Sequence, residues 1–276
     1  MDLEQSVARH YAKSGLEEQI LQALRATGLD IDRLTTADLA PVDEFHVGGR
    51  PATVHLAEQL ALKPGQHLLD IGSGLGGPSR YFAEAHGARV TGIDLTDDYV
   101  RTAAALARRV GLGDKVSYRQ GSALDLPFAP GSFDGAYMLH VGMNIADKPA
   151  LFAGIRRMLK PGGFFAVYDV MREGDGELLF PLPWASDPAA SFVDTVPAYR
   201  QALSDAGFAV GATLSRRDVA LEFFKQMRAS LSASGKPPAL GLHLVMGETQ
   251  PQKMANMIRL VEGGVIAPVE IIATAL

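Results

Sequence analysis

The chain has 276 residues, 47% of them apolar and 21% charged, with a formal net charge of -5 and no cysteine. That length supports one large domain with room for an insertion. The weak negative charge speaks against a nucleic-acid backbone as partner, and the missing thiols exclude disulfides, zinc–thiolate sites, iron–sulfur clusters and a cysteine nucleophile. Met1 to Gly15 carries charges throughout and lacks the apolar stretch of a signal peptide, and no later segment reaches the roughly 18 apolar residues of a membrane span. A cytoplasmic protein without membrane or nucleic-acid partners is expected.

In chain order, within Leu3 to Leu29, Val7 and Tyr11, then Leu16, Ile20 and Leu24, recur every four residues, with Leu21 three before Leu24, which predicts one or two amphipathic helices as an N-terminal extension. Thr35 to Pro51 has loop composition but a density of functional side chains, Asp43-Glu44-Phe45-His46 and Gly48-Gly49-Arg50. A helix follows over Ala52 to Ala61, stopped by Pro64-Gly65. Strand patterns at His67–Ile71, Arg89–Ile93, Val116–Gln120, Phe133–Leu139 and Phe164–Val170 then alternate with helices at Pro78–Ala85, Asp97–Val110 and Lys148–Leu159. Repeated units of this kind predict a doubly wound α/β domain with a mostly parallel sheet. After the irregular Met171–Pro188 come a helix over Pro197–Ala206 and a strand over Phe208–Arg216. Two helical patterns, Val219–Ser232 and Pro251–Val261, read as a late insertion, and Pro268–Ala275 as a last strand. The expected division is an extension and substrate loop over 1–51, a core over 52–217, a helical insertion or lid over 218–266 and the final core strand over 267–276.

The chemistry concentrates in two places. His67-Leu68-Leu69-Asp70-Ile71-Gly72-Ser73-Gly74-Leu75-Gly76-Gly77 sets a buried strand directly before a glycine cluster and a helix start, where backbone can approach a ligand and free N–H groups face it. Val90-Thr91-Gly92-Ile93-Asp94 ends the next strand on a carboxylate about 20 residues later, the position that reaches the ribose hydroxyls of a nucleoside. Dinucleotide-binding folds share this much. What distinguishes this turn is Asp70 beside it, which suits a positively charged or neutral ligand tail better than a diphosphate.

At this point the chain resembles class I S-adenosylmethionine-dependent methyltransferases from about Thr53 to Phe208, with the final strand in addition. Gln120-Gly121-Ser122-Ala123-Leu124-Asp125-Leu126-Pro127-Phe128, Ser132-Phe133-Asp134 and Leu159-Lys160-Pro161-Gly162-Gly163 extend the likeness. The resemblance implies a Rossmann-like, seven-stranded sheet with its last strand antiparallel, and S-adenosyl-L-methionine as methyl donor, with S-adenosyl-L-homocysteine as product. It places Asp70, Gly72, Ser73 and Gly74 at the methionine end, Asp94, Leu95 and Thr96 at the ribose and adenine, and Ser122, Ala123 and Leu139 in the same pocket. Ser122 departs from the pattern, standing where many relatives carry an Asp that bonds the adenine amine. Within the family, the Asp43–Arg50 segment and Leu139-His140-Val141-Gly142-Met143-Asn144-Ile145 resemble small-molecule enzymes of the sarcosine and dimethylglycine N-methyltransferase kind.

His140, just past a strand's carboxyl end, is the candidate catalytic residue, orienting the acceptor or taking its proton; the plainer reading makes it a pocket wall. His46 and Arg50 are candidates for closing over the site and binding a substrate carboxylate, with ordinary loop salt bridges as the alternative. Asn144, Trp184 and His243 complete the expected substrate set, Trp184 as a cation-binding wall or simply as core, and His243 with Met246 and Met257 as part of a lid. The expected activity is N-methylation of a small amine, with O- or C-methylation of a larger apolar metabolite as the alternative. A non-catalytic sensor and a nicotinamide oxidoreductase are more remote readings. No metal triad is visible, so metal-independent chemistry is expected, and the apolar insertion would serve a homodimer as readily as a lid.

Overall fold

Strand runs rich in Val, Ile and Phe, separated by helices that begin on Pro or on Thr and Asp caps, assemble into a doubly wound domain in the computed structural model, which describes residues 3–12, 15–235 and 238–276. The helices are α1 (Leu3–Tyr11), α2 (Leu16–Ala26), α3 (Thr36–Asp43), α4 (Gly49–Glu58), α5 (Gly77–His86), α6 (Asp97–Arg109), α7 (Lys148–Met158), α8 (Val196–Asp205), α9 (Arg217–Ser234), α10 (His243–Met246) and α11 (Gln250–Glu262). The strands are β1 (His67–Ile71), β2 (Arg89–Asp94), β3 (Val116–Gln120), β4 (Phe133–Leu139), β5 (Leu159–Arg172), β6 (Phe208–Ser215) and β7 (Ile266–Ala275). They form one seven-stranded sheet in the order β3-β2-β1-β4-β5-β7-β6, in which only β7 runs antiparallel to its neighbours. The expected sheet is therefore present, including its antiparallel final strand. No helix among the described residues is long and apolar enough to cross a membrane.

Alternation along each strand divides the core. Leu69, Ile71, Met138 and Phe165 pack on one face against Phe152 and Ile155 of α7 and Leu203 of α8. Leu68, Tyr137 and Ala166 face the other way, against Leu56 of α4 and Phe82 of α5. Burial on both sides is what a parallel sheet under two helical layers requires. Two smaller clusters sit beyond the carboxyl edge of the sheet. One joins Leu16, Ile20 and Leu24 of α2 to Leu39, Tyr99 and Val245, and the other joins Trp184 to Phe224, Met254 and Met257.

Thr35–Pro51 is not the loop its composition predicts. Thr35 accepts from the Asp38 amide while the Asp38 carboxylate accepts from the Thr35 amide, a capping box that starts α3, and α4 begins at Gly49, before the expected Ala52. The fifth strand also starts earlier than Phe164: Phe133 of β4 already pairs with Leu159, and the Lys160–Gly163 turn is drawn into β5 with a register shift.

Candidate active site

Open parallel sheets hold ligands beyond the carboxyl ends of their strands, at the point where strand order reverses. Here that point lies between β1 and β4, whose chains leave the sheet at Gly72 and His140. Gly72 has φ of 68°, and a Cβ there would meet Val141 Cγ2 at 2.4 Å, so only glycine lets the two loops close on one another. Gly77 serves packing instead: a side chain would come within 2.5 Å of the Asp43 carbonyl oxygen, where the end of α3 sits on α5. That junction also buries an ion pair between Asp43 and Arg80, and Arg80 donates to the Ala103 carbonyl at 3.3 Å.

A cavity of about 270 Å³ opens from this point. Asp70, Gly72, Ser73 and Gly74 from the first turn line one half, with Asp94, Leu95 and Thr96 after β2 and Ala123 and Leu139 beside them. Asp94 ties the two turns together, accepting the Gly74 amide at 2.8 Å on one oxygen and the Thr96 amide at 2.9 Å on the other. Burial raises its pKa. Asp70 accepts the Ser79 hydroxyl at 2.6 Å, and burial pushes its carboxyl up to about 7. The buried Ser73 hydroxyl finds no partner among the described residues. Ser122 does not line this cavity: its oxygen accepts the Leu124 amide at 3.0 Å while its proton goes to Glu4 of α1.

The other half is apolar and comes from distant parts of the chain. Met143 follows β4, Trp184 lies in the 173–195 connection, and Phe224, Met246, Met254 and Met257 come from α9, α10 and α11. Trp184 is buried, its indole N–H donating to Ser191 Oγ at 3.0 Å, and its side chain belongs both to the chamber wall and to the cluster behind it. Tyr11 of α1 and Asn144 both line the cavity, and His10 lies 3.1 Å from the Pro183 carbonyl oxygen and 3.4 Å from Lys253 Nζ. Neither α1 nor Lys253 had a motif to mark it. Tyr11 shows in the sequence only as one more apolar position of an amphipathic helix.

Two histidines stand where the halves meet. His140 adopts φ of 55°, a left-handed conformation rare for a residue with a side chain. Its amide donates to the Tyr168 carbonyl at 2.7 Å, which holds the ring against Tyr168, the centroids 5.0 Å apart. Nε2 is buried with no partner among the described residues, and burial, with nearby His46, drives the pKa well below the ordinary 6.5. The ring is therefore neutral at physiological pH. His46 also lines the cavity, 5.9 Å from His140 between ring centroids, its Nε2 3.0 Å from both the Gly49 carbonyl and Thr53 Oγ, and burial lowers it to about 4.

Two members of the expected substrate set lie elsewhere. Arg50 is outside the cavity because its guanidinium donates to Glu44 at 2.6 Å and to the Thr36 carbonyl at 3.0 Å and covers the Tyr81 ring. Glu44 is buried, so this pair closes the α3–α4 corner and leaves no fork for a substrate carboxylate. His243 is not among the lining residues, whereas its neighbours Leu242, Val245 and Met246 form the wall. Among the described residues no group of three His, Cys, Asp or Glu side chains is placed to hold a metal ion.

Residues 69–167 match the Methyltransferase domain family. Phosphoethanolamine N-methyltransferase 1 of Arabidopsis thaliana is 33% identical over 189 residues, 65% of this chain and 36% of that protein. A sterol 24-C-methyltransferase of Gibberella zeae is 38% identical over 115 residues, 42% of this chain and 30% of that protein. The chain thus matches about a third of the length of these curated relatives. Geranyl diphosphate C-methyltransferase of Streptomyces coelicolor A3(2) shares the fold over 100% of this chain and 99% of that one, with a TM-score of 0.72 and 20% identity.

Proposed function

We propose that this chain, which carries a class I S-adenosylmethionine-dependent methyltransferase domain, methylates a small and largely apolar molecule at oxygen or carbon, with His140 as the group that orients the acceptor and takes its proton. The residues present fit the cofactor. Asp70 offers a carboxylate for an ammonium group, the Ser73 hydroxyl has bonding capacity left over, and Asp94 stands at the β2 end for the ribose hydroxyls. When bound, S-adenosylmethionine supplies an electrophilic methyl group on a sulfonium. The protein then has to hold the acceptor in line, exclude water and keep the nucleophile in the reactive charge state. His140 Nε2, neutral and unpaired where the two halves meet, is in the form that can accept a proton.

One observation carries the choice of acceptor: the chamber beyond His140 is walled by Met143, Trp184, Phe224, Met246, Met254 and Met257, while every acidic side chain lining the cavity is at its cofactor side or otherwise engaged. Asp43 pairs with Arg80, Asp147 caps α7 through the Ala150 amide, and Glu4 meets Ser122. Among the described residues, an ammonium-bearing acceptor would find no counter-ion there. The narrower reading, N-methylation of a small amine, has the indole of Trp184 in its favour, since an aromatic face attracts a cation.

Incubating the protein with isotopically labelled S-adenosylmethionine, against phenols and isoprenoid or aliphatic alcohols on one side and sarcosine, dimethylglycine and ethanolamine derivatives on the other, separates the two. Methylated products from the apolar set are expected. Turnover confined to the amines would overturn the assignment.

A further inference from the structure

The nucleoside end of the cavity has a carboxylate that does not come from the sheet. Glu4, in the first turn of α1, lines that end with Leu95, Gly121 and Leu124. Ser122, at the position expected to bond the adenine, has its hydroxyl proton directed at Glu4 Oε1 and its oxygen occupied by the Leu124 amide. The hydroxyl therefore positions Glu4 and faces away from the ligand. Adenine presents one strong donor on its pyrimidine edge, the exocyclic amine, and a carboxylate accepts from it with no proton of its own to place.

We infer that Glu4 recognises the adenine of the cofactor, accepting its exocyclic amine on a carboxylate that the Ser122 hydroxyl holds in place. The inference rests on the S-adenosylmethionine assignment above. It has a consequence for the acceptor half, because α1 also bears His10, which lies against Pro183, and Tyr11, which lines the cavity. Nine helical residues at about 1.5 Å each span about 13 Å, so one rigid element touches both halves. Recognition of the base steadies the wall of the acceptor chamber.

The test is calorimetric titration with S-adenosylhomocysteine and with S-inosylhomocysteine, in which a carbonyl replaces the amine. Wild-type protein is expected to prefer the adenosyl ligand by about tenfold or more, the size of one hydrogen bond to a charged group. Glu4→Ala is expected to abolish that preference, and the double variant Glu4→Ala with Ser122→Asp to restore it by returning a carboxylate from the sheet side. Hydrogen exchange should show α1 protected by S-adenosylhomocysteine in the wild type and unprotected in Glu4→Ala. Equal loss of affinity for both ligands in Glu4→Ala, or an unchanged preference, would overturn the inference alone. A wild-type protein that bound neither ligand would remove the cofactor assignment itself.

Discussion

The two halves of the cavity are built by different means. The cofactor half is made by short turns that follow β1, β2 and β3 and is fixed by specific bonds and close packing: Asp94 by the Gly74 and Thr96 amides, Asp70 by the Ser79 hydroxyl, and the first turn by the close approach of Gly72 to Val141. The acceptor half is assembled from α1, the 173–195 connection and α9 to α11, and it is held by side-chain packing of Met, Phe and Trp. Hydrogen-bonded turns tolerate few residue types, whereas an apolar wall accepts many of similar volume. A cavity constructed in this way can keep one cofactor while its acceptor changes.

His140 belongs to both halves, so its replacement tests the comparison most severely. His140→Asn keeps a residue that tolerates the left-handed backbone and is expected to lower the single-turnover rate by about 100-fold to 10,000-fold, the range of a general base. Affinity for S-adenosylhomocysteine should stay within about twofold, as the cofactor's binding groups are untouched. Asp94→Ala should do the reverse. It removes two charge-assisted bonds and releases the Gly74 and Thr96 amides, so calorimetry is expected to show at least about 100-fold weaker S-adenosylhomocysteine binding.

Asp70 gives a pH signature confined to the cofactor half. Its folded pKa of about 7 lies above the unfolded value, so its contribution to the stability of the ligand-free protein is full below about pH 4 and is lost as pH rises through about 7. A cationic ligand binds the ionised form, and affinity should therefore fall about tenfold per pH unit below about 7. Titrations between about pH 5.5 and 8 check this, and Asp70→Asn should flatten the profile.

Smaller effects are expected on the acceptor side. Met257→Ala enlarges the chamber and should raise the acceptor KM by about tenfold, in keeping with the worth of one or two methylenes in an apolar pocket, without changing cofactor affinity. His243→Ala, at a position that does not line the chamber, should leave both within about twofold. A large loss there would make His243 part of the chamber wall.

Much of the cofactor half was legible in the chain, because its function depends on local backbone geometry that leaves a local trace. Gly72 after an apolar strand, Asp94 at the end of the next and His140 after the fourth were each placed by strand-end position, and all three line the cavity. The signal for α3, the Thr35 to Asp38 capping box, was also present in the sequence but was masked by the loop-like composition around it. Arg50, Ser122 and His243 show the opposite case. Each has a residue type suited to ligand contact, but Glu44, Glu4 and the orientation of α10 respectively determine that none of them lines the cavity.

The sequence by itself determined the doubly wound sheet, the order of its elements and the turns that line one half of the cavity, since periodicity and glycine placement act over a few neighbouring residues. Only the tertiary structure decided that α1 crosses both halves, that Trp184 and the methionines of α10 and α11 form one apolar wall, and that His140 is left neutral and unpaired between them. Those properties depend on burial and on contacts between residues more than 100 positions apart, such as Glu4 with Ser122 and His10 with Pro183, for which the linear chain carries no local pattern.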